Sequence, residues 1–436
     1  MRDFARSDDP AVQAQLDRLA ALSVPQGRLG LETIRALLDR LGNPERRLPP
    51  VFHVAGTNGK GSTCAFLRAM LEAAGQRVHV TTSPHLVRYN ERIRLAGELI
   101  SDARLAAVLS EVLDGGTGLR ASFFEVTVAA AFVEFARVPA DACIVEVGLG
   151  GRFDATNVLG TDVLAACGIA ALGIDHEQFL LAPEEGTPAE PLTRIAFEKA
   201  GIAKPGVPLV TQTCPEPVAR EIAARAEALG APLFMEGDAW SSALLPDMML
   251  YSDKTRRGGV DGMHLPLPGL PGAHQAANAG LAIAMLRHQD KVAVDSHAIG
   301  WGLQFARWPA RLQRLREGPL TEGREVWLDG GHNASAGGML AEHFAGRPLH
   351  LIIGMLMAKD PASLVKPLAS SLQSITVVPV PNHEWHAAET FGTDARQAAN
   401  VPLALTALPD DGLPVLIAGS LYLAGEVLRL NQEIPE

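Results

Sequence analysis

Short apolar runs recur through the first half of the chain, at 51–55, 78–82, 142–147, 163–169 and 209–211, and stretches with helical spacing separate them. Such runs read as strands buried on both faces, and their alternation with helices predicts a parallel sheet covered by helices on both sides. A helix is predicted from 62 to 74, with Phe66, Ala69 and Met70 facing inward, Ser62 or Thr63 capping it and Gly75 stopping it. A further helical pattern over 298–311 ends near Trp308-Pro309. A second series follows at 325–328, 349–353, 375–379 and 414–418, which predicts a smaller, Rossmann-like α/β domain. The expected boundary divides 1–305 from 306–436. The segment 235–264, rich in Gly and Asp with scattered apolar residues, reads as a β-hairpin or an irregular excursion.

Composition narrows the classes. A chain of 436 residues exceeds one comfortable core, in keeping with two domains. With 47% hydrophobic and 20% charged residues it can bury a large core. A net charge of −11 argues against a general nucleic-acid binder. Cys64, Cys143, Cys167 and Cys214 form no C-x-x-C, so reduced thiols in a cytoplasmic setting are expected and a zinc site is not. The N-terminus carries Arg2, Asp3, Arg6, Asp8 and Asp9 without an apolar signal region, and no apolar run approaches the roughly 20 residues of a membrane span.

The chemistry concentrates where the first strand meets its helix. Gly56-Thr57-Asn58-Gly59-Lys60-Gly61-Ser62 reads as a phosphate cradle: glycines turn backbone N–H groups toward an anion, the helix N-terminus adds its dipole, and Lys60 supplies a full charge. The spacing departs from G-x-x-x-x-G-K-[ST], because Val54 stands where that pattern has its first glycine. A plain surface turn is the bland alternative. It needs neither a buried strand before it nor an amphipathic helix after it. Three further polar residues end or follow strands. Ser83 can offer a hydroxyl to a metal, although Ser83-Pro84 alone reads better as a turn. Glu146 stands in an apolar strand and needs a partner, for which magnesium is natural. His176 by itself reads as structural, yet all three flank the phosphate loop at one sheet edge. Gly148-Leu149-Gly150-Gly151-Arg152-Phe153 resembles the start of a dinucleotide fingerprint, with Phe153 at the third glycine position.

Together with Ser83-Pro84-His85-Leu86, Tyr89-Asn90-Glu91-Arg92-Ile93, Asp154-Ala155-Thr156-Asn157, Asp175-His176, Glu198-Lys199-Ala200-Gly201-Ile202, Trp308-Pro309-Ala310-Arg311-Leu312, Asp329-Gly330-Gly331-His332-Asn333 and Gly419-Ser420-Leu421-Tyr422, these motifs cover nearly the whole chain. Their combination resembles the bifunctional dihydrofolate synthase/folylpolyglutamate synthases of the Mur ligase superfamily. The resemblance implies an ATP-dependent ligase that adds L-glutamate to dihydropteroate and to reduced folates through an acyl phosphate.

It further implies that Gly56, Thr57, Asn58, Gly59, Lys60, Gly61 and Ser62 hold the ATP phosphates and that Asn278, Arg311 and Asp329 contact the nucleotide, the last two from the second domain, with ATP in the cleft between domains. Ser83, Glu146, His176 and a carbamylated Lys199 are implied as ligands of one or two magnesium ions, and a monovalent cation is allowed beside them. Lys60, Lys199 and His332 are the implied catalytic groups. The implied pterin site matches Gln26, Gly27, Arg28 and Leu29, then Ser122, Phe123, Phe124 and Glu125, then Phe153, Asp154 and Ala155. A cytoplasmic monomer with neither nucleic-acid nor membrane partners is expected.

Some positions depart from the pattern: Arg28 stands where an acidic residue is common, Ala310 replaces a glycine before Arg311, Ala334 replaces a proline after Asn333, and an extra stretch occupies 180–191. Three alternatives remain open: a monofunctional folylpolyglutamate synthase, a phosphate-loop kinase or NTPase, and a dinucleotide oxidoreductase resting on Gly148 to Phe153.

Overall fold

The computed structural model describes residues 6–22, 30–175, 177–254 and 260–436. The chain divides into two compact units, one comprising 1–83, 89–269 and 275–307, the other 84–88, 270–274 and 308–436.

The first unit is built on eight strands: β1 (Val51–Ala55), β2 (Val78–Thr81), β3 (Ile93–Leu95), β4 (Glu98–Leu99), β5 (Ala142–Glu146), β6 (Leu164–Ile169), β7 (Leu209–Thr211) and β8 (Leu233–Met235). Their spatial order is β4-β3-β2-β5-β1-β6-β7-β8. The six strands from β2 to β8 pair in parallel, while β3 and β4 add an antiparallel edge. Every residue of β1, β5 and β6 is buried, which is why these strands read as unbroken apolar runs. β1 lies between β5 and β6, so the loops leaving these three strands emerge side by side.

The helix after β1 runs Lys60–Ala73 and begins earlier than its sequence pattern suggests. Its cap is Gly59 in the left-handed region, with no capping side chain, and Ser62 and Thr63 are buried inside the first turn. Phe66 and Met70 face the core as expected, Ala69 is half-buried, and Gly75 follows the helix at φ 78°. The segment 235–264 is more regular than a hairpin: β9 (Trp240–Leu244), β10 (Met249–Lys254) and β11 (Val260–Leu265) form an antiparallel sheet in the order β11-β10-β9. Arg287, in the helix His274–Arg287, donates to Asp253 and Asp261 of this sheet. The helix expected over 298–311 spans Ser296–Phe305, because the chain turns extended at Ala306, before Trp308-Pro309.

The second unit holds β12 (Gln313–Arg314), β13 (Val326–Leu328), β14 (Leu349–Ile353), β15 (Leu372–Val377), β16 (Arg396–Gln397) and β17 (Val415–Ala418), ordered β12-β13-β17-β14-β15-β16. β12 pairs antiparallel with β13 and every other pair is parallel. β15 starts three residues ahead of the expected 375, since its first three residues are half-buried or exposed and lack an apolar run. Cys64, Cys143 and Cys167 are buried, Cys214 is half-buried, and all four are free thiols. Among the described residues no helix is long and apolar enough to cross a membrane.

Candidate functional site

The loop joining β1 to its helix is clasped by the chain that follows β6. Thr57 and Asn58 donate their backbone N–H groups to the Ala171 carbonyl at 2.9 and 3.1 Å, and Thr57 Oγ1 donates to the Gly173 carbonyl at 2.9 Å. Gly56 (φ 151°) and Gly59 (φ 81°) take conformations that disfavour a Cβ. The N–H groups of Lys60, Gly61 and Ser62 open the helix, where no intrahelical acceptor precedes them, and this is the anion-binding end.

Two amines converge on one carbonyl of this loop. Lys60 Nζ donates to Gly56 O at 2.9 Å and to Thr57 O at 3.3 Å, and Lys199 Nζ donates to the same Gly56 O at 2.9 Å. Lys199 sits on the helix Pro191–Ala200 and is buried. Burial, and then the nearby Lys60 charge, lower its pKa to about 7 against the pull of Asp175, Asp154 and Glu198. Near neutral pH a substantial fraction of this amine is therefore uncharged. A pocket here is lined by Gly56, Thr57 and Lys60, by residues 147–150, and by Asp175, Leu180 and Lys199. Gly151 makes the approach possible, since a Cβ there would lie 2.7 Å from the Glu198 carbonyl.

Glu146 ends β5 beside Val54 of β1 and is buried, and one of its oxygens accepts the Ser83 N–H at 3.2 Å. The fold thus brings Ser83 and Glu146 together, while His176 lies outside the described residues. Among the described residues no group of three or more His, Cys, Asp or Glu side chains gathers to hold a metal. A carboxylate and a hydroxyl are hard oxygen donors. They suit magnesium, which keeps several waters and is bound through one or two carboxylates plus substrate phosphates rather than by a protein cage.

The segments matched to a pterin site have clear structural duties. Ser122 and Glu125 form a capping box on the helix Phe123–Arg137, each accepting the other's backbone N–H. Phe124 packs on Gly148, where a Cβ would stand 2.3 Å from the ring. Phe123 meets Tyr89 edge-on at 6.0 Å. Asp154 is buried and accepts from the backbone N–H groups of Leu149 and Thr156, which shapes the 149–156 segment, and burial raises its pKa. Phe153 carries the Arg152 guanidinium 4.2 Å above its ring, and Ala155 is buried. Gln26, Gly27, Arg28 and Leu29 lie outside the described residues. The Gly148 to Phe153 stretch leads into a single 3-10 turn, Ala155–Val158, and not into the helix that a dinucleotide fingerprint requires, so that reading is set aside.

Asn278 is buried, accepts from Gln212 Nε2 at 3.1 Å and donates to Gln275 Oε1 at 3.0 Å. In the second unit, Asp329 accepts the N–H groups of Leu312 and Gly331, while Arg311 donates to the Ala310 carbonyl and a ring nitrogen of His332 lies 3.1 Å from the Gly330 carbonyl. Both departures here have a local meaning. Ala310 holds φ 55°, a conformation glycine takes without strain, and Ala334 is the first residue of its helix, where proline fits. Sequence reasoning overlooked Glu184 and Arg194, which join Arg152 and Glu198 in an ion-pair quartet beside Lys199. Only the i,i+4 spacing of Arg194 and Glu198 signalled it.

A phosphate cradle on a parallel sheet, a buried carboxylate at the neighbouring strand end and a second α/β unit define a class, the nucleoside-triphosphate-using α/β enzymes of two units. No protein-family model matches the chain. It is 35% identical over 363 residues to the dihydrofolate synthase/folylpolyglutamate synthase of Bacillus subtilis, covering 79% of this chain and 80% of that protein. Among solved structures, Escherichia coli FolC in complex with DHPP and ADP superposes with a TM-score of 0.84 at 29% identity, covering 99% of both chains. The bifunctional enzyme of Yersinia pestis complexed with AMPPNP and Mn ion follows with a TM-score of 0.82 at 30% identity, over 98% of this chain and 99% of that one. The chain belongs to the dihydrofolate synthase/folylpolyglutamate synthase family.

Proposed function

We propose that this chain joins L-glutamate to dihydropteroate and, through the γ-carboxylate, to reduced folates, using ATP. The observation that carries the reading is the convergence of Lys60 and Lys199 on the Gly56 carbonyl at the mouth of a phosphate cradle. A carboxylate does not react with an amine at neutral pH. The substrate carboxylate therefore takes the terminal phosphoryl group of ATP, giving ADP and an acyl phosphate; the glutamate amine then attacks the acyl carbon, phosphate leaves and a proton is released. Such chemistry asks the protein for positioning and charge neutralisation.

In this reading Gly56 to Ser62 cradle the phosphates and Lys60 leaves the loop carbonyls to face the transferring group. Ser83 and Glu146 would hold magnesium, with His176 as the family's further ligand. When bound, magnesium supplies a hard cation that neutralises phosphate oxygens. Lys199 is the seat of a carbamate, formed when its neutral amine takes up carbon dioxide and loses a proton, and the lowered pKa supports that role. Asn278 steadies the loop beside the nucleotide, Arg311 and Asp329 are assigned to nucleotide binding, and His332 to a late step. Phe124 and Phe153 offer flat faces to a pterin, and Asp154 shapes the 149–156 segment that carries Phe153. We read the protein as a cytoplasmic monomer, to which its free thiols are suited.

ADP release measured with glutamate and, separately, dihydropteroate or a reduced folate tests the proposal. Both reactions are expected, and Lys60→Ala is expected to remove both. Turnover with reduced folate alone would make the protein a monofunctional folylpolyglutamate synthase.

A further inference from the structure

The stretch 180–190, which lengthens the path to the Lys199 helix, is fastened by one carboxylate. Glu184 accepts from both terminal nitrogens of Arg152 and from Arg194 at 3.0 Å. The same two arginines hold Glu198, at 2.8 Å from Arg152 and 3.1 Å from Arg194. The four charges balance as two cations and two anions. Without Glu184, two guanidiniums would share one carboxylate in a place where the Arg194 side chain is only 6% exposed and the Arg152 side chain 17%. Arg194 also donates from Nε to the Leu180 carbonyl at 3.1 Å, tying the start of the stretch to the same anchor.

Its inner end serves the site. Leu180 is buried and lines the pocket that holds Lys60 and Lys199, and its Cδ2 stands 3.0 Å from where a Cβ on Gly150 would lie. An apolar side chain at this point would hinder water from reaching an acyl phosphate held in that pocket. Water attacking that intermediate returns the carboxylic acid and phosphate, so ADP appears without amide. Excluding water from reactive intermediates is a recognised duty of closed sites.

We infer that Glu184 is a positioning residue that latches residues 180–190 so that Leu180 closes the pocket, and that this latch keeps ADP release matched to amide formation. The inference rests on the ligase reading above. It is tested by measuring ADP and glutamate-containing product together in the wild type, Glu184→Gln, Glu184→Asp and Leu180→Ala.

The wild type is expected to release one ADP per amide. Glu184→Gln keeps the volume and loses the charge, and should release at least about threefold more ADP than amide. Leu180→Ala leaves the quartet intact and should uncouple similarly, while Glu184→Asp, retaining the carboxylate, should restore most of the coupling. A one-to-one ratio in either Glu184→Gln or Leu180→Ala overturns the inference, even if the rate falls, because a merely structural role lowers ADP and amide alike. Should Glu184→Gln fail to fold, a one-to-one ratio in Leu180→Ala still overturns the inference. A wild type with no glutamate-dependent ADP release would instead remove the ligase reading.

Discussion

The carboxamide of Asn278 occupies the space that a side chain on Gly59 would need: a Cβ there would lie 2.3 Å from Asn278 Oδ1. Gly59 also holds φ 81° as the cap of the phosphate-loop helix. Asn278 is held by Gln212 and Gln275, so it cannot simply rotate away.

Gly59→Ala should therefore destabilise the protein by about 1–3 kcal/mol through backbone strain and the clash, and weaken nucleotide binding. Part of the loss should return in Gly59→Ala/Asn278→Ala, where the clash is relieved and the φ strain stays. Denaturant midpoints and ADP binding on the two variants check this; equal losses would show that Asn278 plays no part.

Lys199 gives a pH dependence of defined sign. Its pKa is about 7 in the folded state against 10.5 ordinarily, so between these values the unfolded chain binds the extra proton. This group's contribution to stability therefore rises with pH from about 7 to 10.5, and its penalty is fully present below 7. Activity should fall as pH drops through about 7, because the protonated amine cannot take up carbon dioxide, and added bicarbonate should raise it. Lys199→Ala should be inactive, with a little activity restored by acetate. Full activity of this variant, with intact mass showing only free amine in the wild type, would remove the carbamate.

Glu146→Gln should raise the magnesium needed for half-maximal ADP release by about tenfold or more, since an amide cannot neutralise the cation. The amide keeps the volume of a buried residue that accepts the Ser83 N–H at 3.2 Å, so the thermal midpoint should change little. An unaltered magnesium titration would make Glu146 a purely structural carboxylate.

His53 sits buried in β1 beside Thr156, and burial, with the Lys204 charge second, lowers its pKa to about 3. From pH 6.5 down to 3 the unfolded state binds this proton and the folded state does not. Stability should fall with acidification over that window, by about 2 kcal/mol at pH 5 from this residue. Comparing denaturant midpoints at pH 7 and pH 5 in the wild type and His53→Asn checks it; the variant should show the smaller drop.

Much of the site's first half was legible because its determinants are contiguous. A buried strand, a glycine turn and a lysine at a helix start lie within Val51 to Ser62, and glycine's conformational freedom makes such a turn readable in one dimension. The parallel sheets were legible for the same reason, since strands buried on both faces show as unbroken apolar runs. The cap departs from the sequence expectation, because Ser62 and Thr63 are good capping types but the left-handed Gly59 already ends the turn. The sheet of β9, β10 and β11 was underestimated, because its partly exposed strands alternate with polar residues and resemble a loop.

Tertiary structure alone decided the rest. Lys199 looks like an ordinary helix lysine in one dimension. It meets Gly56 across 143 residues of sequence, and its low pKa arises from burial and from Lys60, neither of which a local pattern encodes. The four charges around Glu184 are likewise scattered over 152–198, and only folding reveals that they neutralise one another. Turn and strand propensities act between neighbours and are written in the sequence. Desolvation and charge coupling act through space, where distant segments become neighbours only in the folded chain.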